Sequence, residues 1–341
     1  MSSSNNILVL QHSASSSSSL FSSSSRAPAR VGLSSWAAGT TNGFGIHYPR
    51  RNRVIAAKSA EPDEARDSGG GDSPSSSLSS FLSVLCPLLK LFSGGDPSGR
   101  RNYALEVATS SLSTLVRFPW GSRSVVSRET KGTDVNDPPL RLQLFEFEAC
   151  PFCRRVREAL TELDLSVEVY PCPKGSIRHR EIVKRLGGKE QFPFLVDPNS
   201  GISMYESGDI VKYLYQTYGG GMSPTAGILE STLLTGWMPT ILRAGRGMTF
   251  WEKAKDLPPE KLELFSLETN PYARIVREAL CELELPYILQ NAGEGSVREK
   301  LLIELSGSKQ VPYLVDPNTG AQMGDYQQIL SYLFQTYASA A

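Results

Sequence analysis

The feature that most restricts the fold of this chain is that it contains the same stretch twice. Pro138-Pro139-Leu140-Arg141-Leu142-Gln143-Leu144-Phe145 returns 120 positions later as Pro258-Pro259-Glu260-Lys261-Leu262-Glu263-Leu264-Phe265. Val156-Arg157-Glu158-Ala159-Leu160 returns unchanged at Val276 to Leu280. After one deletion the offset is 119, and Pro193-Phe194-Leu195-Val196-Asp197-Pro198-Asn199 becomes Pro312-Tyr313-Leu314-Val315-Asp316-Pro317-Asn318. Both copies close alike, on Gln216-Thr217-Tyr218 and Gln335-Thr336-Tyr337. The chain must therefore build two similar units. A unit of about 80 residues buries a small fraction of its surface alone, so the copies are expected to pack on each other.

Copy one reads as alternating strands and helices. Leu142 to Phe147 is a short apolar run suited to a buried strand. A helix follows from Cys150-Pro151, because proline is tolerated in a first turn. Val156, Ala159, Leu160 and Leu163 fall on one face of it. Val167 to Tyr170 is a second strand, parallel to the first by the handedness of such units. A basic helix is expected over Ser176 to Leu186, then a strand over Phe192 to Val196. Asp197-Pro198-Asn199-Ser200-Gly201 is a turn, and Ile202 to Tyr205 returns antiparallel. Ser207 is a suitable N-cap for a last helix. One further helix around Leu233 to Leu242 is expected between the copies.

The order βαβαββα, with Cys150-x-x-Cys153 after strand one and Pro193 at strand three, resembles the thioredoxin fold. The fold class is thus α/β, two tandem thioredoxin-like domains, each a small mixed sheet flanked by helices. Cys150-Pro151-Phe152-Cys153 resembles a glutaredoxin active site. Glu206-Ser207 resembles the glutathione-binding corner of glutaredoxins and of glutathione S-transferase N-terminal domains. The resemblance covers 141–219 and 261–338. It implies glutathione as co-substrate, held by Phe192, Pro193, Glu206 and Ser207. It also implies a cis-proline at Pro193 facing the active-site cysteine. Full transferases continue into a long helical domain; here about 40 residues separate the copies, and copy two ends at the last residue.

The chemistry expected of Cys150 follows from its place at a helix start. Unpaired N–H groups and the helix dipole favour an anion there. Thiolates in such sites have pKa values of roughly 3.5–7.5 and are the attacking species in disulfide exchange. Cys153, one turn on, would resolve the mixed disulfide. Arg154, Arg155 and Arg157 are expected to add positive charge nearby. Lys174, Arg178 and His179 could reach a glycine carboxylate or form a solvated basic face. Cys172, Cys281 and Cys86 suggest no role. No second Cys/His pair completes a zinc site, so no metal is expected. Copy two has Asn270 and Ala273 in place of the thiols, and Asp325-Tyr326-Gln327 in place of Glu206-Ser207-Gly208. It should fold without reacting. The reading is a glutaredoxin-like thiol–disulfide oxidoreductase serving disulfide or glutathionylated protein clients. Two others remain open: a glutathione-conjugating or isomerising enzyme, and a non-catalytic module that binds clients and senses redox state.

Lys+Arg and Asp+Glu both number 35, which argues against nucleic acid as a partner. The first acidic residue is Glu61, preceded by serine clusters and scattered arginines. That composition marks a transit peptide, here over 1–57, with cutting near Ala56 and import into the chloroplast stroma. Residues 58–105, rich in Ser, Gly and Pro, read as a disordered linker. The domains are then 106–220, carrying the cysteine motif, and 221–341, the degenerate copy. Phe81 to Phe92 is apolar but interrupted by Pro87 and Lys90, too short to span a membrane and suited at most to weak peripheral contact.

Overall fold

The computed structural model describes residues 53–54, 102–126 and 137–339. The expected transit peptide and linker lie almost wholly outside those residues, as does the 81–92 run. Within them, β1 (Arg53–Val54) lies parallel to β5 (Ile202–Met204). Helix α1 (Tyr103–Leu115) begins inside the stretch expected to be linker, because Asn102 caps it, its Oδ1 accepting from Leu105 N at 3.3 Å.

Copy one runs β2 (Leu142–Glu146), α2 (Pro151–Glu162), β3 (Val167–Pro171), α3 (His179–Gly187), β4 (Phe194–Asp197), β5 and α4 (Ser207–Tyr218). Copy two repeats it as β6 (Leu262–Ser266), α7 (Pro271–Glu282), β7 (Tyr287–Asn291), α8 (Arg298–Ser306), β8 (Tyr313–Asp316), β9 (Ala321–Met323) and α9 (Tyr326–Tyr337). In each, the first two strands are parallel and the last two antiparallel. The βαβαββα order is therefore present twice. Two details differ from expectation. The basic helix starts at His179 rather than Ser176, because Lys174 is tied across to the connecting segment: its N–H donates to Met248 O at 2.6 Å and its carbonyl accepts from Phe250 N at 2.9 Å. Ser207 is the first helical residue, and Glu206 occupies the cap position.

A single copy would leave β3 as an edge, with a row of unpaired backbone groups. Instead β3 pairs antiparallel with β7, in the register Val167↔Leu289, Glu168↔Ile288 and Val169↔Tyr287. The strands form one mixed sheet in the order β1-β5-β4-β2-β3-β7-β6-β8-β9. Because side chains alternate across a strand, Leu144 joins one core and Phe145 another. The first core is shared by both copies, packing the sheet under α2, α4, α7 and α9. On the opposite face each copy keeps a small core of its own, with Val183 of α3 in one and Leu302 of α8 in the other.

The stretch between the copies holds two short helices, α5 (Ser231–Thr235) and α6 (Met238–Leu242), where one was expected. Thr114-Leu115-Val116-Arg117 returns there as Thr240-Ile241-Leu242-Arg243, so the repeat reaches further back than residue 138. Each leading segment touches both copies: its arginine pairs with its own, Arg117 with Glu158 and Arg243 with Glu278, while its helix lies against the other. Ser110 of α1 donates to Pro271 O at 2.7 Å, at the start of α7 in copy two. Thr240 of α6 donates to Ala149 O at 2.5 Å, at the start of α2 in copy one. Gly236 permits the approach, because a Cβ there would lie 3.0 Å from Pro151 Cβ.

The polar faces of α2 and α7 meet between the copies. Arg157 reaches Glu148 at 3.2 Å and Glu268 at 3.0 Å, while Arg277 reaches the same two carboxylates at 3.1 Å each. Arg157 also pairs with Glu146. All are buried. Burial pushes the Glu268 carboxyl up, but Arg157, Arg277 and Arg154 outweigh it and hold it at about 2. Glu146 has less compensation: burial raises it to about 7 against the pull of Arg157.

Candidate functional site

Cys150 is the N-cap of α2, in extended conformation, and Pro151 is its first helical residue. Its sulfur accepts from Cys153 N at 3.3 Å, taking up one of the N–H groups that a helix start leaves without intrahelical partners. Cys150 is 4 % exposed and Cys153 fully buried. Burial raises the Cys153 thiol well above its ordinary value, and its contact with Cys150 adds to this. Copy two reproduces the backbone with Asn270, whose Oδ1 accepts from Ala273 N at 2.9 Å.

Cys150 opens on a cavity of about 330 Å³. Phe147, Phe152 and Phe192 form much of its wall, and Lys174 and Arg180 are its two cations. The Arg180 guanidinium lies 4.9 Å from the Phe192 ring centre and donates to the Cys172 and Pro173 carbonyls. Its carboxylate neighbour, Glu190, is 3.5 Å away. Trp237 and Met248 complete the lining from the connecting segment. Trp237 meets Phe152 edge to face, with ring centres 6.0 Å apart.

Of the expected glutathione-binding residues, the cavity gathers Phe192 with Cys150 but not Pro193, Glu206 or Ser207. The Phe192–Pro193 bond is cis and Pro193 is buried. Glu206 is exposed, and its carboxylate accepts from Nε2 of Gln191, the residue before Phe192. It holds φ at 62°, a strained conformation for a residue with a Cβ, and makes no capping bond. Its counterpart Asp325 is relaxed, at φ −79°, and caps its helix by accepting from Gln327 N and Gln328 N. Ser207 is buried, its hydroxyl accepting from Arg155 Nη1 at 3.1 Å.

The arginines expected to add charge near the thiol face elsewhere. Arg155 binds Thr232 Oγ1 and Leu229 O, pinning the connecting segment. Arg154 and Arg157 belong to the buried network between the copies. His179 and Arg178 do not reach the cavity: His179 is buried, with Nδ1 2.7 Å from Pro171 O, and Arg178 lies 3.8 Å from Glu284. Cys172 and Cys281 are buried thiols donating to Tyr170 O and Gly247 O, both raised by burial. Among the described residues no cluster of His, Cys, Asp or Glu is placed to hold a metal, and no helix is long and apolar enough to cross a membrane.

Phe147, Arg180, Trp237 and Met248 were not singled out in the sequence. The available signal for the last two was the Thr-Leu-Val-Arg and Thr-Ile-Leu-Arg pair, which marks the connecting segment as part of the repeat rather than as linker. The model of the glutathione S-transferase, N-terminal domain, family matches residues 144–222 and again 264–341. Neither the curated proteins nor the solved structures yield a match.

Proposed function

Residues 144–222 and 264–341 are tandem thioredoxin-like domains of the glutathione S-transferase N-terminal family, which generally binds glutathione; from that premise we propose that the protein is a glutathione-linked thiol–disulfide oxidoreductase with Cys150 as nucleophile. The observation that carries this reading is the contrast between two helix starts of the same shape. Asparagine is among the best N-cap residues. Copy two has it, and copy one keeps a thiol at the same place, beside a cavity with two cations.

Glutathione fits that lining by its charges. It carries two carboxylates and one ammonium; Lys174 and Arg180 can take a carboxylate, and the exposed Glu206, held by Gln191 next to Phe192, can take the ammonium. The Cys150 thiolate attacks one sulfur of a mixed disulfide. A new S–S bond forms to the glutathionyl sulfur, the old one breaks, and the leaving thiolate takes a proton from water. A second glutathione thiolate then attacks the glutathionyl sulfur on Cys150, releasing glutathione disulfide and restoring the Cys150 thiolate. One glutathione from solution is consumed per turnover, and the other half of the glutathione disulfide is the glutathionyl group taken from the substrate. Cys153 is buried with a raised pKa, so it is a slow nucleophile near neutral pH. It serves client dithiol bonds, where Cys150 and the client form the mixed disulfide, more than removal of glutathione.

The acid-free, serine-rich head supports action in the plastid stroma after loss of about 55 residues. Cytosolic fluorescence from an uncut fusion of residues 1–70 to a reporter would count against that location. The catalytic test uses the full chain, a glutathionylated protein and a dithiol-bonded protein. Cys150→Ser should abolish both activities, and Cys153→Ser should spare the first and impair the second. Activity retained by Cys150→Ser would overturn the assignment.

A further inference from the structure

Helix α1 is inside out. Ser110, Ser113 and Thr114 are buried, while Leu105, Leu112 and Leu115 face solvent, as does Phe118 just beyond the helix. A surface helix ordinarily has the opposite arrangement. The polar face is used within the protein: Ser110 reaches Pro271 O, Ser113 donates to Thr109 O at 2.7 Å, and Thr109 accepts from Arg243 Nη1 at 2.6 Å. The one charged residue of the helix, Glu106, is paired with Arg243. The repeat makes the same choice again. Thr114-Leu115 matches Thr240-Ile241, and in that register Leu112 matches Met238. Thr114 and Thr240 are both buried, whereas Leu115 is 65 % exposed and Ile241 48 %, Leu112 51 % and Met238 42 %. Helix α1 lies against α6, on the side of the sheet that carries α2 and α7. The four apolar side chains are thus presented on one side of the molecule, which is a mark of an interaction surface.

We propose that the face made by Leu112, Leu115, Phe118, Met238 and Ile241 docks the protein on the surface of a lipid bilayer. Two observations favour lipid over a protein partner. A specific protein interface carries about one hydrogen bond per 100–200 Å². These five side chains have no hydrogen-bond donor, and the hydroxyls of Thr109, Ser113 and Thr114 are bonded to backbone carbonyls of α1 itself. The acyl boundary of a bilayer asks for no such bonds. The second observation is the chain ahead of α1. Phe81 to Phe92 is another apolar run, ending ten positions before Asn102. Over residues 81–101, Lys90, Arg100 and Arg101 stand against the single acid Asp96, a balance that suits anionic headgroups. Because Thr240 of α6 donates to Ala149 O beside Cys150, docking holds the thiol near the bilayer. The docking itself does not depend on the chemistry of Cys150.

The test is flotation of the full chain with vesicles of phosphatidylcholine and phosphatidylglycerol. The protein should float with the vesicles. Leu112→Ser with Leu115→Ser should weaken its partition at least about tenfold, and Met238→Ser with Ile241→Ser by a similar factor, because each pair withdraws two apolar side chains from the acyl boundary. All four positions face solvent, so the variants should fold. Leu301→Ser is the control: it changes an exposed leucine of α8, on the other side of the sheet, and should leave partition as it was. A second measurement separates this face from residues 81–92. In the Leu115→Trp protein, vesicles with brominated acyl chains should quench fluorescence beyond the quenching seen in the parent. Absence of flotation overturns the inference. So does flotation that both serine pairs leave unchanged, an equal loss in Leu301→Ser, or no added quenching in Leu115→Trp. A dimer that the serine pairs dissociate, with no flotation, shows a second copy on this face and overturns the lipid assignment as well.

Discussion

The buried square of Glu148, Glu268, Arg157 and Arg277 makes copy two a structural partner of the thiol site, and replacing Arg277 with methionine measures that. Arg277 donates to both oxygens of Glu148, at 3.1 and 3.2 Å, and to Ser266 Oγ at 2.7 Å. It also lies 3.1 Å from Glu268. Methionine keeps much of the volume and removes every one of these contacts. Among the described residues Glu148 then keeps one ion pair, with Arg157 at 3.2 Å, at a buried position. Removing one member of such a buried pair costs about 3–5 kcal/mol. At about 2–4 °C per kcal/mol for a folded region of this size, the midpoint should fall by about 10 °C. The assay is thermal unfolding by circular dichroism, with urea unfolding as a check. A double-mutant cycle with Glu148→Gln should show strong coupling, because the second change removes the charge that the first leaves unpaired. A fall below about 2 °C, or additivity of the two changes, would refute the claim that the square holds the copies together.

Three other outcomes follow from the same geometry. Stability should pass through a maximum close to pH 5. Glu268 and Glu278 lie at about 2, below their ordinary 4.5, so their contribution is present above 4.5 and lost as pH falls toward 2. Glu146 is raised to about 7, so its contribution is present below 4.5 and lost as pH rises through 7; that loss is on the order of 3 kcal/mol and should vanish in Glu146→Gln when urea midpoints are compared from pH 5 to 9. Alkylation of the native protein at pH 7, read for each cysteine by mass spectrometry, should mark Cys150 well before Cys153, Cys172 and Cys281, whose thiols burial raises; faster labelling of Cys153 would reverse the assigned roles. Restoring thiols to copy two with Asn270→Cys and Ala273→Cys should lower stability by about 1 kcal/mol through the lost cap and yield no turnover beyond that of copy one, since Glu294 stands there in place of Lys174.

How far the fold could be read without coordinates depended on what each residue pattern encodes. The repeat and the strand and helix periods located all seven elements of copy one and named Cys150, because periodicity reports which face of an element is buried. It does not report what covers that face. The edge of β3 has no mark showing that β7 will pair with it. Arg154, Arg155 and Arg157 beside a cysteine read as charge for a thiolate, yet their spacing turns two of them toward Glu268 of copy two and one toward Thr232. Trp237 and Met248 sat in a stretch read as a short helix and linker, where composition resembles any loop. Phe192 could be placed at the cavity from its neighbour Pro193, but Ser207 could not be foreseen as occupied by Arg155.

The differences between the copies fall at the two helix starts where chemistry and stability compete. At the first, Asn270 caps α7 with a good oxygen acceptor, and Cys150 caps α2 with a weaker sulfur acceptor. At the second, Asp325 accepts two N–H groups in a relaxed conformation, and Glu206 makes no cap and sits at φ 62°. Each choice in copy one costs about 1–3 kcal/mol of local stability. A lone unit of this size has little stability to spare. Copy two carries the favourable residue at both places, supplies β7 to the open edge of β3, shares the larger core, and contributes Arg277 and Glu268 to the buried square. Loss of the thiols in one copy and retention of strained residues in the other are then two sides of one arrangement. The copy with Asn270 and Asp325 offsets what the copy with Cys150 and Glu206 gives up at its helix starts.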